Sequence, residues 1–194
     1  MPIPQVAIVG RPNVGKSSLF NWLAGRRIAI VDPTAGVTRD RVMAPVQLGE
    51  RWFELVDTGG IGIVDVDDLT ADVEKQIAHA LDEAAVVIFL VDARDGLAPL
   101  DEMVSERLRS IDKPIICVAN KCDSPELEPH ASDFARLGYG NVLPVSAMQH
   151  RGKDELLRLI ARALPKSDDE KPRDVAMKLA IVGRRNTGKS TFIN

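Results

Sequence analysis

Cysteine and histidine are both scarce in this chain, with two of the former and three of the latter in 194 residues. Cys117 and Cys122 lie on either side of an expected strand end. With no histidine at zinc spacing they make neither a disulfide framework nor a metal site, and both are expected to be buried thiols. Long apolar runs are missing too. No stretch reaches the roughly 18 residues of a membrane span, and Met1-Pro-Ile-Pro4 leads directly into a strand without the basic and apolar segments of a secretory signal. A cytoplasmic protein with no membrane partner is therefore expected. An excess of positive charge is also lacking: 25 Lys and Arg against 28 Asp and Glu give a formal net charge of −3. That excludes a strongly basic nucleic-acid-binding domain and leaves any RNA contact local or outside this stretch of chain. The apolar (45%) and charged (27%) fractions are those of an ordinary globular domain.

What the chain does have is a phosphate-binding motif, twice. Gly10-Arg-Pro-Asn-Val-Gly15-Lys16-Ser17 is answered by Gly183-Arg-Arg-Asn-Thr-Gly188-Lys189-Ser190. Each copy has glycines that let the backbone turn tightly and aim N–H groups at phosphate, a lysine for the terminal phosphates and a hydroxyl for Mg²⁺. The match extends outward, since Val6-Ala-Ile-Val9 precedes the first copy, Leu179-Ala-Ile-Val182 precedes the second, and Asn21 and Asn194 follow. This is a duplicated domain start. Residues 1–164 are expected to form one nucleotide-binding domain and 165–175, charged and proline-bounded, a linker. Residues 176–194 would open a second domain whose remainder is missing, so only one nucleotide site is expected.

Apolar, β-branched runs alternate with helix-periodic stretches, which predicts an α/β fold with helices on both faces of the sheet. The strands read as Gln5 to Val9, Arg41 to Gln47, Arg51 to Val56, Val86 to Asp92, Pro114 to Asn120 and Asn141 to Pro144. Together they predict a six-stranded, mostly parallel sheet of the P-loop NTPase type, with one antiparallel edge strand supplied by the hairpin turning at Gly49-Glu50. Helices are expected over Lys16–Ala24, Leu69–Glu83, Ala98–Ser110, Glu126–Leu137 and Lys153–Leu164. The fourth carries a Ser124 cap and a proline at its first position.

The phosphate loop by itself says nucleoside triphosphate and no more. Gly10, Val14, Gly15, Lys16, Ser17 and Ser18 line it, with Lys16 bridging the terminal phosphates and Ser17 ligating Mg²⁺. Asn120-Lys121-Cys122-Asp123 ends a buried strand at the edge where open α/β sheets bind ligands, and resembles the guanine-recognition motif of the GTPase superfamily. A carboxylate at Asp123 can accept two hydrogen bonds from guanine, whereas adenine presents neither donor in that arrangement, which disfavours an ATPase. Ser146-Ala147-Met148 resembles the superfamily's last base-binding loop. Asp57-Thr58-Gly59-Gly60 resembles its aspartate-to-glycine motif, so Asp57 would hold Mg²⁺ through water and the Gly60 N–H would meet the γ-phosphate. Thr38 stands where the first switch threonine reaches Mg²⁺ and γ-phosphate.

Five motifs in order make residues 5–164 similar to translation-factor-like GTPases. With the tandem second loop, and with Gly36-Val37-Thr38-Arg39-Asp40, the chain resembles the EngA (Der) family of bacterial ribosome-assembly GTPases. That resemblance implies binding and hydrolysis of GTP, GDP as product ligand, and a role in maturing the large ribosomal subunit through contact with rRNA or pre-ribosomal particles. A monomer is expected. The alternative is an interaction module whose nucleotide state sets a docking surface with little hydrolysis of its own. Ile61 follows Gly60 where small signalling GTPases carry a water-positioning glutamine. The family resemblance implies that catalysis, with Lys16, Thr38 and Gly60, also draws on K⁺ held partly by Asn13. Trp22 and Trp52 read as packing residues, and His79, His130 and His150 share no spacing that suggests a site.

Overall fold

The computed structural model describes residues 3–25, 30–32, 41–58 and 83–165. Five strands run parallel through the body of the sheet, beginning with β1 (Gln5–Val9), whose Val6, Ala7, Ile8 and Val9 are all buried. A strand buried on both faces has no polar side to show, which is why it reads as an unbroken apolar run. β1 lies at the centre, paired with β4 (Arg51–Asp57) on one side and β5 (Ala84–Asp92) on the other. Beyond β5 come β6 (Ile115–Asn120) and the two-residue β7 (Leu143–Pro144), both parallel.

On the other flank β3 (Arg41–Leu48) returns antiparallel to β4 through the turn at Gly49, whose φ of 64° favours a residue without a Cβ. The expected six strands are joined by a seventh. β2 (Ile30–Asp32) pairs antiparallel with β3, so the order is β2-β3-β4-β1-β5-β6-β7 and the antiparallel strand is second from the edge, not at it. Three residues are too few to show a period in the sequence, and pairing with β3 alone makes them a strand.

Alternation along β5 sorts the core into two layers. Val86, Ile88 and Leu90 face α1 (Lys16–Ala24) and α3 (Lys153–Ala163), packing with Leu19, Phe20, Leu23, Leu156 and Ile160. Val87, Phe89 and Val91 face the opposite way, onto Val104 and Leu108 of α2 (Pro99–Arg109) and onto Phe134 and Leu137. Each such side chain, fully buried, contributes about 1.5–3 kcal/mol of transfer free energy. Cys117 and Cys122 are buried free thiols, as expected, and burial pushes the Cys117 thiol up to about 12.

The helix expected over Glu126–Leu137 is not α-helical. Two 3₁₀ segments, Pro125–Leu127 and Pro129–Leu137, replace it. Pro129 has no N–H to donate, and its ring would clash with the carbonyl of Pro125 in an α-helix, so the backbone closes i→i+3 bonds such as Ala131 N–H to Glu128 O at 3.1 Å. The Ser124 hydroxyl makes no cap hydrogen bond. α2 starts instead on a reversed device, with the Asp101 carboxylate accepting the Ala98 N–H at 3.1 Å behind Pro99. The helix expected over Leu69–Glu83, but for its last residue, and the region 166–194 lie outside the described residues.

Candidate nucleotide site

Where β1 ends, Gly10 passes so close to β5 that a Cβ there would lie 2.3 Å from the Leu90 carbonyl oxygen. Only glycine fits, and the loop that follows is thereby pressed onto the sheet edge. Asn13 and Gly15 then take left-handed backbone, at φ 66° and 94°. Val14 between them is fully buried and acts as the peg that seats the loop. Ser17 and Ser18 are exposed in the first turn of α1. That turn has no side-chain cap and no acidic residue, which leaves its N–H groups and partial positive charge for an anion.

Lys16 is 7% exposed and donates from Nζ to the carbonyls of Gly10 and Arg11, both at 2.9 Å. Its ammonium is thus folded back over the loop. Burial lowers its pKa to about 8; Asp57 opposes the shift and Arg11 adds to it. Asp57 is buried at the end of β4, beside Ile8 in the register, and Thr58 pins the same junction by donating its hydroxyl to the Ile8 carbonyl at 2.7 Å. A hydroxyl at Ser17 and one carboxylate at Asp57 are hard oxygen donors. They suit Mg²⁺, which keeps its waters and shares substrate phosphates and needs no all-protein cage. Among the described residues no cluster of three His, Cys, Asp or Glu stands ready for a metal. Thr38, Gly60 and Ile61 lie outside the described residues.

The residues expected to read the base come to the same edge from β6 and from the turn after β7. Asn120 is buried and joins the two ends of the site: its Nδ2 donates to the Val14 carbonyl at 2.9 Å, and its Oδ1 accepts the Ala147 N–H at 3.2 Å. A Cβ on Gly15 would lie 2.5 Å from that same Nδ2. Asn120 therefore serves as a strut, with both polar atoms of its amide used internally. The Asp123 carboxylate accepts from the Ser146 hydroxyl on one oxygen and pairs with Arg94 on the other. Ser146 is fully buried, and paired backbone bonds with Arg151, 3.0 Å each way, close its loop. Met148, by contrast, is 77% exposed at the loop's crest.

Three further residues share this edge without a role read from the sequence, Arg11 within the phosphate-loop motif and Asp92 and Arg94 outside any motif. Arg11 ties the back of the phosphate loop to Asp95 at 3.0 Å and to buried Asp101 at 3.2 Å. Arg94 sits on Asp123, and Asp92 pairs with Lys121. The only available signal was an aspartate ending the apolar run Val86–Asp92 at the same sheet edge as Asn120.

The family model for 50S ribosome-binding GTPases matches residues 5–121. The chain belongs to this family. As a member it carries a GTPase domain, with the matched stretch running from β1 through the phosphate loop into the base motif. It is 55% identical over 195 residues to GTPase Der of Rhodopirellula baltica, covering 100% of this chain and 43% of that protein. GTPase Der of Geobacter metallireducens is 47% identical, with 99% of this chain and 44% of the relative covered. The chain thus spans less than half the length of these relatives. Among solved structures, a point variant of Aquifex aeolicus Era bound to GDP·AlF4⁻ is similar at 34% identity and a TM-score of 0.72, over 93% of this chain and 63% of that one. Era in complex with MgGDPNP and a segment of 16S ribosomal RNA is similar at 33% identity and a TM-score of 0.72, over 90% of this chain and 61% of that one. No described helix is long and apolar enough to cross a membrane.

Proposed function

We propose that this chain binds GTP and GDP with Mg²⁺ and hydrolyses GTP slowly, as a nucleotide switch in assembly of the large ribosomal subunit. The observation that carries the reading is the Asn120 strut, which ties a phosphate loop to a base loop so that one ligand with a triphosphate at one end and a purine at the other spans both. In this reading Asp123 accepts the two guanine donors, the Ala147 N–H region faces the base, and Lys121 and Met148 flank it. Lys16 and the N–H groups of Gly15, Lys16, Ser17 and Ser18 hold the phosphates. Thr38 and Gly60 sense the γ-phosphate and make their segments nucleotide-dependent. Ser17, Thr38 and Asp57 would hold Mg²⁺ directly or through water, and the amide oxygen of exposed Asn13 would contribute to a K⁺ site. When bound, these cations supply positive charge that offsets what develops on the transferred phosphoryl. Ile61 offers no group to orient water, so the chain's own share of catalysis is positioning and charge stabilisation by Lys16 and the loop N–H groups.

The domain proposal is one GTPase domain over 1–164, a charged linker over 165–175 and the start of a second GTPase domain over 176–194. The relatives' greater length supports it. Limited proteolysis should cut within 165–175 and leave a product that still binds GDP. For the site, competition among Mg²⁺-GTP, Mg²⁺-GDP and Mg²⁺-ATP tests the reading, with ATP expected to compete at least about 100-fold less well. Equal competition by ATP overturns it. The large-subunit role draws on the family description, and the Era relative, whose complex contains 16S rRNA, supports rRNA contact in general. Co-sedimentation of the longer protein with large subunits, stronger with a non-hydrolysable GTP analogue than with GDP, is the expected result; equal sedimentation in both states contradicts it. A cytoplasmic location and a monomeric state complete the proposal.

A further inference from the structure

Asp92 ends β5 opposite Asn120 in the parallel register, and its side chain is fully buried. One carboxylate oxygen, Oδ1, closes the turn after the strand by accepting the N–H groups of Arg94 at 2.9 Å and Asp95 at 3.4 Å. The other, Oδ2, does nothing for that turn. It pairs with the ammonium of Lys121, the cation that compensates this buried oxygen. A carboxylate removed from water is costly unless a cation partners it, and the partner here is the second residue of the base motif.

Lys121 is also the one residue of Asn120–Asp123 with left-handed backbone, at φ 65°, a conformation that a side chain bearing a Cβ adopts at a cost. Among the contacts that hold the loop there are the Asn120 amide, the bond from Ala93 N–H to the Asn120 carbonyl at 2.9 Å, the bond from Cys122 N–H to the Val145 carbonyl at 3.0 Å, and the ammonium of Lys121 on Asp92. Two residues past Lys121 comes Asp123. The turn that Asp92 closes also carries Arg94, whose guanidinium meets Asp123. Asp92 is therefore the shared anchor of both cations beside the base-reading carboxylate.

Resting on the guanine-nucleotide reading above, we propose that Asp92 is a positioning residue for guanine recognition, whose ion pair with Lys121 sets the Asn120–Asp123 loop so that Asp123 meets both guanine donors. The test is Asp92→Asn in this chain, which keeps the volume and the Oδ1 acceptor for the turn while removing the charge. Binding of GDP is compared with that of IDP, because inosine lacks the 2-amino donor and so loses less when Asp123 is misplaced. GDP affinity should fall about tenfold and IDP affinity about twofold, cutting the preference for GDP about fivefold. Lys121→Met should reproduce this, and the double variant should add little to either single change. If Asp92→Asn does not fold, Lys121→Met carries the test, since that side chain is part-exposed. Equal losses for GDP and IDP mean that Asp92 only supports the fold, and together with an unchanged preference in Lys121→Met they overturn the proposal. A parent chain that fails to prefer GDP over IDP and ADP would instead strike the guanine reading itself.

Discussion

The two ends of the site are held in opposite ways. At the proposed phosphate end the groups available to a ligand are backbone N–H groups and one desolvated lysine, kept in place by close approach: Gly10 against Leu90, Val14 in the core, Gly15 against Asn120. At the base end the side chains saturate one another, with Asp123 on Ser146 and Arg94, Asn120 on Val14 and Ala147, and Lys121 on Asp92. Rigid packing supplies a mould for a group every nucleotide shares, and a mould needs no side-chain choice. Reading a base needs directional acceptors, and a carboxylate kept ready for that work must be neutralised by internal partners meanwhile.

The largest expected effect comes from the atom where the two ends touch. Gly15→Ala puts a Cβ 2.5 Å from Asn120 Nδ2 on backbone at φ 94°, which should cost about 2–4 kcal/mol of stability and abolish GDP binding. Urea denaturation and titration check this; a variant with parent stability and affinity would show that the ends are not joined through Asn120.

Next is Lys16→Ala, expected to weaken GTP binding about 100-fold while leaving the fold intact. The parent's pH profile is a second check on the same lysine. Below a pKa of about 8 the ammonium is already formed and affinity should be flat. Above it the free protein has lost the proton, binding must take one up, and affinity should fall as pH rises, by up to about tenfold per pH unit. Lys16→Ala should lack that slope.

At the base end Asp123→Asn should exchange guanine for xanthine, lowering GTP affinity on the order of tenfold to 100-fold while xanthosine triphosphate gains. Equal effects on both nucleotides would mean that this end reads no base. A smaller effect separates catalysis from binding: hydrolysis in KCl should exceed that in NaCl at equal ionic strength by about fivefold, and much less so in Asn13→Ala. Identical rates in the two salts would leave an activating partner to supply the missing charge. Smallest is Arg94→Ala. It removes a half-exposed competitor from Asp123, so GDP should bind about twofold tighter; weaker binding would make Arg94 a support for the base carboxylate.

Legibility in the sequence divided along the same line. Phosphate-loop chemistry depends on local turn geometry, so Gly10, Gly15, Lys16 and Ser17 identify it within eight consecutive residues. The central strands were equally plain, because burial on both faces writes itself as an apolar run. Base-end motifs were recognisable at Asn120–Asp123 and Ser146–Met148, but what holds them was not: Asp92 and Arg94 are about thirty residues from their partners, and an aspartate after a strand carries no mark of what it will pair with. The helix expected after Ser124 failed for a local reason, since the Pro129 ring outweighs the apolar period around it.

By itself, then, the order of residues determined the parallel sheet, the phosphate loop and the burial of Cys117 and Cys122, because each follows from propensity, periodicity or turn chemistry within a short window, whereas the candidate base-reading carboxylate followed from the family resemblance of Asn120–Asp123. Tertiary structure alone decided that β2 extends the sheet, that Asn120 is a strut rather than a free amide, that Lys16 is desolvated and that Asp123 is shared between Ser146 and Arg94. The contacts of Asn120 and Asp123 join groups distant in the chain, and they exist only once strand order brings the C-terminal edges of β1, β5 and β6 side by side, while β2 is a strand only through its pairing with β3.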